Sequence, residues 1–134
     1  MSTPTAHIGD QKYVALTTRK KSGEVVTSPV WIARLSDGSV GFTTEVQSGK
    51  AKRIRNFPEV TLQPCTARGK LLPGSSAVTA TATVLVGDDT EPVRVAIAAK
   101  YGLAFKLIGL ASFLRHRVFR KPAPERGAIR MELT

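Results

Sequence analysis

Ser48, Gly49, Lys50 and Arg53 are the residues of this 134-residue chain whose types and spacing best suit a defined chemistry. They stand in the stretch QSGKAKRIRNFPEV, residues 47 to 60, which also carries Lys52 and Arg55. Binding a phosphate group takes backbone N–H donors, a hydroxyl and one or two cations in fixed geometry. A Ser-Gly pair ahead of a short helix supplies the hydroxyl, a close backbone approach and the positive helix end. Lys50 and Arg53 are three apart and so share one helix face, whereas Lys52 lies elsewhere around the turn. Four cations so close together also read as a solvated helix face or as part of a nucleic-acid patch. The net charge of +10 favours anionic partners without choosing among these readings.

The remaining inventory narrows the chemistry. One cysteine, Cys65, excludes an intrachain disulfide and a cysteine-rich zinc site. With His7 and His116 as the only histidines, a protein-built metal centre would need most of the available ligands at once, and none is assigned. No Ser-His-Asp constellation is evident, which argues against hydrolysis. It agrees with redox work carried by a cofactor, and equally with no catalysis, so no protein side chain is assigned a catalytic role. Aromatic residues make up only 6% of the chain, too few for the aromatic and basic interleaving of single-strand binders, so nucleic acid is not the expected partner.

The elements that must position these residues follow from periodicity and turn signals. YVALTT (13–18), VVTSPVWIARL (25–35) and SVGFTTEV (39–46) read as three strands separated by Gly-containing turns. Pro29 cannot donate to a ladder and marks an edge, a bulge or a place where the backbone serves a ligand. Ser48 reads as the N-cap of a two-turn helix that Phe57-Pro58 stops. EVTLQPCTA (59–67) and AVTATATVLV (77–86) are further strands around a basic loop, RGKLLPGSS. Residues 88–102 read as a helix capped by Thr90 and stopped by Gly102, a second helix is expected over 103–117, and GAIRMELT alternates as a last strand. The sequence thus predicts a single α+β domain over 1–134 built on an antiparallel barrel of about six strands with a few short helices, residues 1–12 being flexible or peripheral.

YGLAFKLIGLASFL, residues 101–114, is the most apolar stretch, yet Lys106 interrupts it and it is shorter than the ~20 residues a membrane span needs. It reads as a core-covering or dimer-burying helix, or as a peripheral membrane helix given the arginines that follow. The N-terminus lacks a basic segment ahead of an apolar core, so no signal peptide is expected and the cytoplasm is the expected compartment.

In that order the residues resemble the flavin-binding split β-barrel family related to pyridoxamine-phosphate oxidase. The nearer likeness is to its actinobacterial branch of deazaflavin (coenzyme F420)-dependent oxidoreductases. SPVW at 28–31, FTT at 42–44, SGKAKRIRNFPEVTLQPC at 48–65, AAKYGL at 98–103 and the terminal IRMEL carry it, over about Tyr13 to Leu133. The resemblance implies a homodimer with two cofactors in grooves between the subunits. By position, Ser48, Gly49, Lys50 and Arg53 would hold the cofactor phosphate, and Thr43 and Thr44 would face the ribityl hydroxyls. Thr27, Ser28, Pro29 and Val30 would border the ring, while Trp31 and Phe42 read as core residues or as ring neighbours. The chain closes on RGAIRMELT without the Arg- and His-rich substrate segment of the true oxidases, so oxidation of pyridoxine phosphate is not expected. The implied activity is hydride transfer between reduced F420 and an electron-poor small molecule, with FMN as the alternative cofactor. A cofactor carrier without its own substrate is the competing function. Arg55, Arg68 and Lys70 would be free to meet an anionic cofactor tail or to stay solvated.

Overall fold

Alternation is the signal that most directly becomes structure. In a computed structural model, which describes residues 7–102, 107 and 126–134, the first alternating segment is strand β1, Val14–Arg19. Its Val14, Leu16 and Thr18 point to one face and are buried. The strands that follow are β2 Val25–Val30, β3 Ala33–Arg34, β4 Val40–Glu45, β5 Glu59–Pro64, β6 Val78–Leu85 and β7 Arg126–Leu133. Helix α1 is Gly49–Asn56 and helix α2 is Glu91–Tyr101. The strands form one sheet in the order β2-β1-β5-β6-β7-β4-β3, and every pairing is antiparallel.

This order forces the sheet to curl. β2 and β3 are its two outermost strands, yet only Trp31 and Ile32 separate them in the chain. Laid flat at ~4.8 Å per strand the two edges would stand nearly 30 Å apart. The link from Val30 to Ala33 spans roughly 11 Å at full stretch. The result is a curled half-barrel whose edges approach each other at residues 31–32. The expected single strand over 25–35 is therefore two strands on opposite edges, which raises the count from about six to seven. Pro29 sits on the outermost strand, where a missing N–H leaves no gap in the ladder.

The interior is filled by Leu16, Ile32, Val40, Phe42, Leu62, Ile129 and Met131. Helix α1 adds Ala51 and Ile54, and α2 adds Val93 and Ile97. Gly41 lets α2 lie close against β4: a Cβ there would stand 3.1 Å from both Val93 methyls and 2.9 Å from the Ile129 carbonyl. Ser48 caps α1 as its sequence predicts, accepting from the Ala51 N–H. Thr90 stands at the N-cap position of α2 as expected, but its side chain makes no capping bond. It is already in helical backbone, and its hydroxyl donates to the Gly87 carbonyl at 2.7 Å, closing the short 3-10 turn Gly87–Thr90. Gly102 ends α2, its N–H reaching the Ala98 carbonyl at 2.8 Å. Near the N-terminus Ile8–Asp10 form another 3-10 turn, and Ile8 is packed in the core. The helix expected over 103–117 lies outside the described residues apart from 107. Among the described residues no helix is long and apolar enough to cross a membrane.

Candidate functional site

The chain leaves β4 through a turn in which the Ser48 N–H donates to the Glu45 carbonyl at 3.0 Å, and α1 starts one residue later. Ser48 Oγ is an acceptor twice, from the Ala51 N–H at 3.2 Å and from the Thr44 hydroxyl at 3.0 Å. One turn along the helix, Arg53 Nε donates to Thr18 Oγ1 at 2.6 Å. That bond turns the guanidinium back across the helix start. A Cβ on Gly49 would meet Arg53 Nη1 at 2.7 Å, so the absence of a side chain is what makes room for it. Among the described residues, no acceptor pairs with Nη1 or Nη2 of Arg53. The helix start, the Ser48 hydroxyl and an anchored guanidinium thus lie side by side. The N–H groups of the helix start, the Ser48 hydroxyl and the guanidinium together make the donor set of a phosphate site.

Burial divides the cationic run. Ala51 and Ile54 face the core; Lys50 and Arg53 are partly buried on one flank, and Lys52 and Arg55 are exposed. Arg55 turns away from the cradle to line a separate groove with Ile54, Pro58 and Val86. The cradle is therefore built from Thr18, Thr44, Ser48, Gly49 and Arg53, with Lys50 beside it.

The other candidates do not converge on it as a set. Successive strand residues point to opposite faces. Thr44 joins the cradle through Ser48, while Thr43 shares the outer face of Gly41, over which α2 packs. In β2, Ser28 and Val30 lie opposite Leu16 and Val14 on the inner face. Thr27 and Pro29 lie on the exposed outer face, where Thr27 Oγ1 is 2.8 Å from Thr17 Oγ1. The basic loop comes to this face, since a Cβ on Gly69 would be 3.5 Å from Pro29 Cδ. Exposed Arg68 and Lys70 therefore flank the outer side of β2.

Two features escaped the sequence reading. Thr18 is one, because its role depends on a contact 35 positions away in the chain. The second is a groove of about 430 Å³ beside Thr18, lined by Thr17, Arg19, Thr61, Thr79 and Thr81 among others. Register places Thr27, Thr17, Thr61 and Thr79 side by side across four strands, so hydroxyls from distant segments form one row. Phe42 is fully buried in the core. Trp31 stacks on Tyr101 with centroids 4.3 Å apart and planes 5° from parallel. The Tyr101 hydroxyl accepts from the Ile32 N–H at 3.0 Å and donates to the Lys12 carbonyl at 2.7 Å, so its proton is committed to the backbone. Partial burial raises its pKa further, against the opposing bond to Ile32. Burial likewise pushes the Cys65 thiol up, as fits a small apolar strand residue.

No protein-family model matches the chain, and no curated protein matches it in sequence. Solved structures do match in fold. An FMN-binding, pyridoxamine 5'-phosphate oxidase-related protein from Nostoc punctiforme superposes with a TM-score of 0.63 at 17% identity, over 91% of this chain and 70% of that one. An F420 reductase gives 0.61 at 16% identity, over 98% and 96%. HutZ, the heme storage protein of Vibrio cholerae, gives 0.62 at 15% identity, over 95% and 84%. At these identities the likeness speaks for architecture alone. The chain has the pyridoxamine-phosphate-oxidase-like, FMN-binding type of split-barrel fold, a fold that also serves an F420 reductase and a heme storage protein.

Proposed function

We propose that this chain is a cytoplasmic, homodimeric oxidoreductase that uses the deazaflavin coenzyme F420 to reduce an electron-poor small molecule. The observation that carries this reading is the cradle at the start of α1. Ser48 is fixed as cap and acceptor, Gly49 leaves room for the Arg53 guanidinium, and Thr18 holds that guanidinium across the helix start. Such a cradle suits the phosphate of F420 or of FMN. When bound, either cofactor would supply the hydride, and the protein's part is binding and orientation. Arg53 and the helix start would anchor the phosphate, with Lys50 adding charge from the same flank. Thr27–Val30 would border the ring, the inner pair Ser28 and Val30 and the outer pair Thr27 and Pro29 serving different sides. Arg68 and Lys70, brought beside Pro29 by Gly69, favour F420 over FMN, because its tail of glutamates continues the anionic character beyond the phosphate. An F420 reductase that aligns over nearly the full length of both chains supports the same choice.

A second reading, an FMN-binding protein or cofactor carrier without its own substrate, is favoured by the FMN-binding and heme-storing neighbours. Titration of the purified protein with F420, FMN and heme, followed by stopped-flow mixing of the reduced complex with enones and quinones, separates the two. Tight F420 binding with acceptor-dependent reoxidation supports the enzyme; binding without reoxidation supports the carrier. Failure to bind either F420 or FMN at tens of micromolar would sink both.

A further inference from the structure

Ile32 lies at the seam of the barrel and belongs to neither edge ladder: the β1–β2 register ends at Val30 and the β3–β4 register begins at Ala33. Its buried backbone nevertheless has partners, and all come from the end of α2. The Ile32 N–H donates to Tyr101 Oη at 3.0 Å, and its carbonyl accepts from Lys100 Nζ at 2.6 Å. The same ammonium donates to the Gly9 carbonyl at 2.7 Å and to the Gln11 carbonyl. An ammonium has three N–H donors, and here three carbonyls from two separate segments take them. It also stands 5.2 Å from the centroid of the Tyr101 ring, which is stacked on Trp31. Two consecutive residues of one helix thus tie the N-terminal turn to the seam.

We propose that Lys100 and Tyr101 are positioning residues that clasp the seam. Lys100 acts as a tethered monovalent cation in a three-carbonyl site, and Tyr101 replaces the strand that Ile32 lacks, so that together they fix the exit of β2. The consequence for ligand binding rests on the proposed reading of Thr27–Val30 as the cofactor-bordering strand; the clasp itself does not. A compact ammonium is needed here, because the planar fork of a guanidinium cannot aim three N–H groups at three converging carbonyls. Asp10, between Gly9 and Gln11, pairs with Arg34 at 2.6 Å, and its charge also favours the ammonium form of Lys100 against the burial that opposes it.

The test uses Lys100→Met, Lys100→Arg, Lys100→Ala and Tyr101→Phe. The probes are Ile32 amide exchange by NMR and emission from Trp31, the only tryptophan of the chain. Ile32 should exchange about tenfold faster in each variant, the scale of losing one buried or charged hydrogen bond. Trp31 emission should shift to the red in the three Lys100 variants. Methylammonium chloride should restore both signals in Lys100→Ala, and sodium chloride should not, a discrimination that a purely space-filling lysine would not produce. If the Lys100 variants do not fold, Tyr101→Phe decides, since it deletes one oxygen and keeps the stack. Unchanged Ile32 exchange in Tyr101→Phe, or unchanged Trp31 emission in a folded Lys100→Met, would overturn the clasp. For positioning, the F420 and FMN dissociation constants should rise about tenfold in Lys100→Met. Wild-type affinity in a variant whose Ile32 has become exposed would overturn the positioning role. A wild-type protein that binds neither cofactor refutes the functional reading and the positioning role, while the exchange and emission data still decide on the clasp.

Discussion

Gly49→Ala is the substitution that best tests the cradle, because it should move stability and binding independently. Gly49 is the first residue of α1 and has no left-handed backbone, so alanine fits the chain conformation. At such a position the change stabilises a fold by about 0.4–1 kcal/mol through the unfolded state. The new methyl, however, would sit 2.7 Å from Arg53 Nη1. An ordinary carbon–nitrogen contact is about 3.5 Å, so the guanidinium must retreat by roughly 0.8 Å. The Arg53 Nε–Thr18 bond, 2.6 Å long, cannot stretch that far and stay within the range of a strong hydrogen bond. Its loss offsets most of the gain, leaving net stability within about 1 kcal/mol of the parent. A guanidinium–phosphate bond is worth about 1.5–3 kcal/mol, so F420 and FMN should bind some ten- to hundredfold more weakly. Thermal melts by circular dichroism and equilibrium titrations with both cofactors read the two quantities separately. A melting temperature close to wild type with cofactor affinity unchanged within about threefold would refute the cradle, since the guanidinium would then not be the group that holds the phosphate.

Other expectations follow from the same geometry. Lys50→Ala should weaken cofactor binding several-fold while Lys52→Ala leaves it nearly unchanged, because Lys50 flanks the cradle and Lys52 is exposed on the other side; equal losses in titration would mean diffuse charge. Phe42→Ala should cost about 3–5 kcal/mol in urea unfolding, as for a fully buried aromatic ring, and a loss under about 1 would remove Phe42 from the core. Asp37 is held well below the usual carboxylate range by Ser39 and then by Arg130, whose Nη2 is 2.6 Å away. Below about pH 4 the unfolded chain takes up a proton that the folded carboxylate refuses, so stability falls as the pH drops. Asp37→Asn lacks this share, and its melting temperature should decline less steeply between about pH 4 and pH 2; parallel curves would exclude the linkage.

What the sequence revealed was whatever depends on neighbours in the chain. Alternation placed β1, β4, β6 and β7, and the Ser48 cap and the Phe57-Pro58 stop bounded α1 closely, because each rests on contacts a few residues apart. The break at Trp31–Ile32 was only hinted at by Pro29, since the sequence there remains strand-like and only closure of the sheet interrupts it. Thr90 marked the start of α2 correctly, but its hydroxyl closes the preceding 3-10 turn instead of capping the helix, a role that a β-hydroxyl residue serves equally well. In the candidate site, the spacing of Ser48, Gly49 and Arg53 was legible. The fixing of Arg53 by Thr18 was not, since it is set by how α1 packs against β1. The pairing of Thr43 with Thr44 looked like a motif in one dimension and separates across the two faces of β4 in three.

The position of β7 has a consequence for how the molecule is made. It lies between β6 and β4, pairing with all of β4 and with Ala80–Leu85 of β6. Without it the sheet is two unconnected pieces, β2-β1-β5-β6 and β4-β3. On the ribosome, β7 is the last of these strands to emerge, so β4 and β6 wait with open hydrogen-bonding edges until then. Closure joins residues 40–45 to residues 126–131, a long loop to shut and therefore a slow step. A pause before β7 emerges, or a truncation ahead of it, would thus present two sticky edges instead of a shortened barrel, and the nascent chain depends on residues 126–133 to become safe from its neighbours.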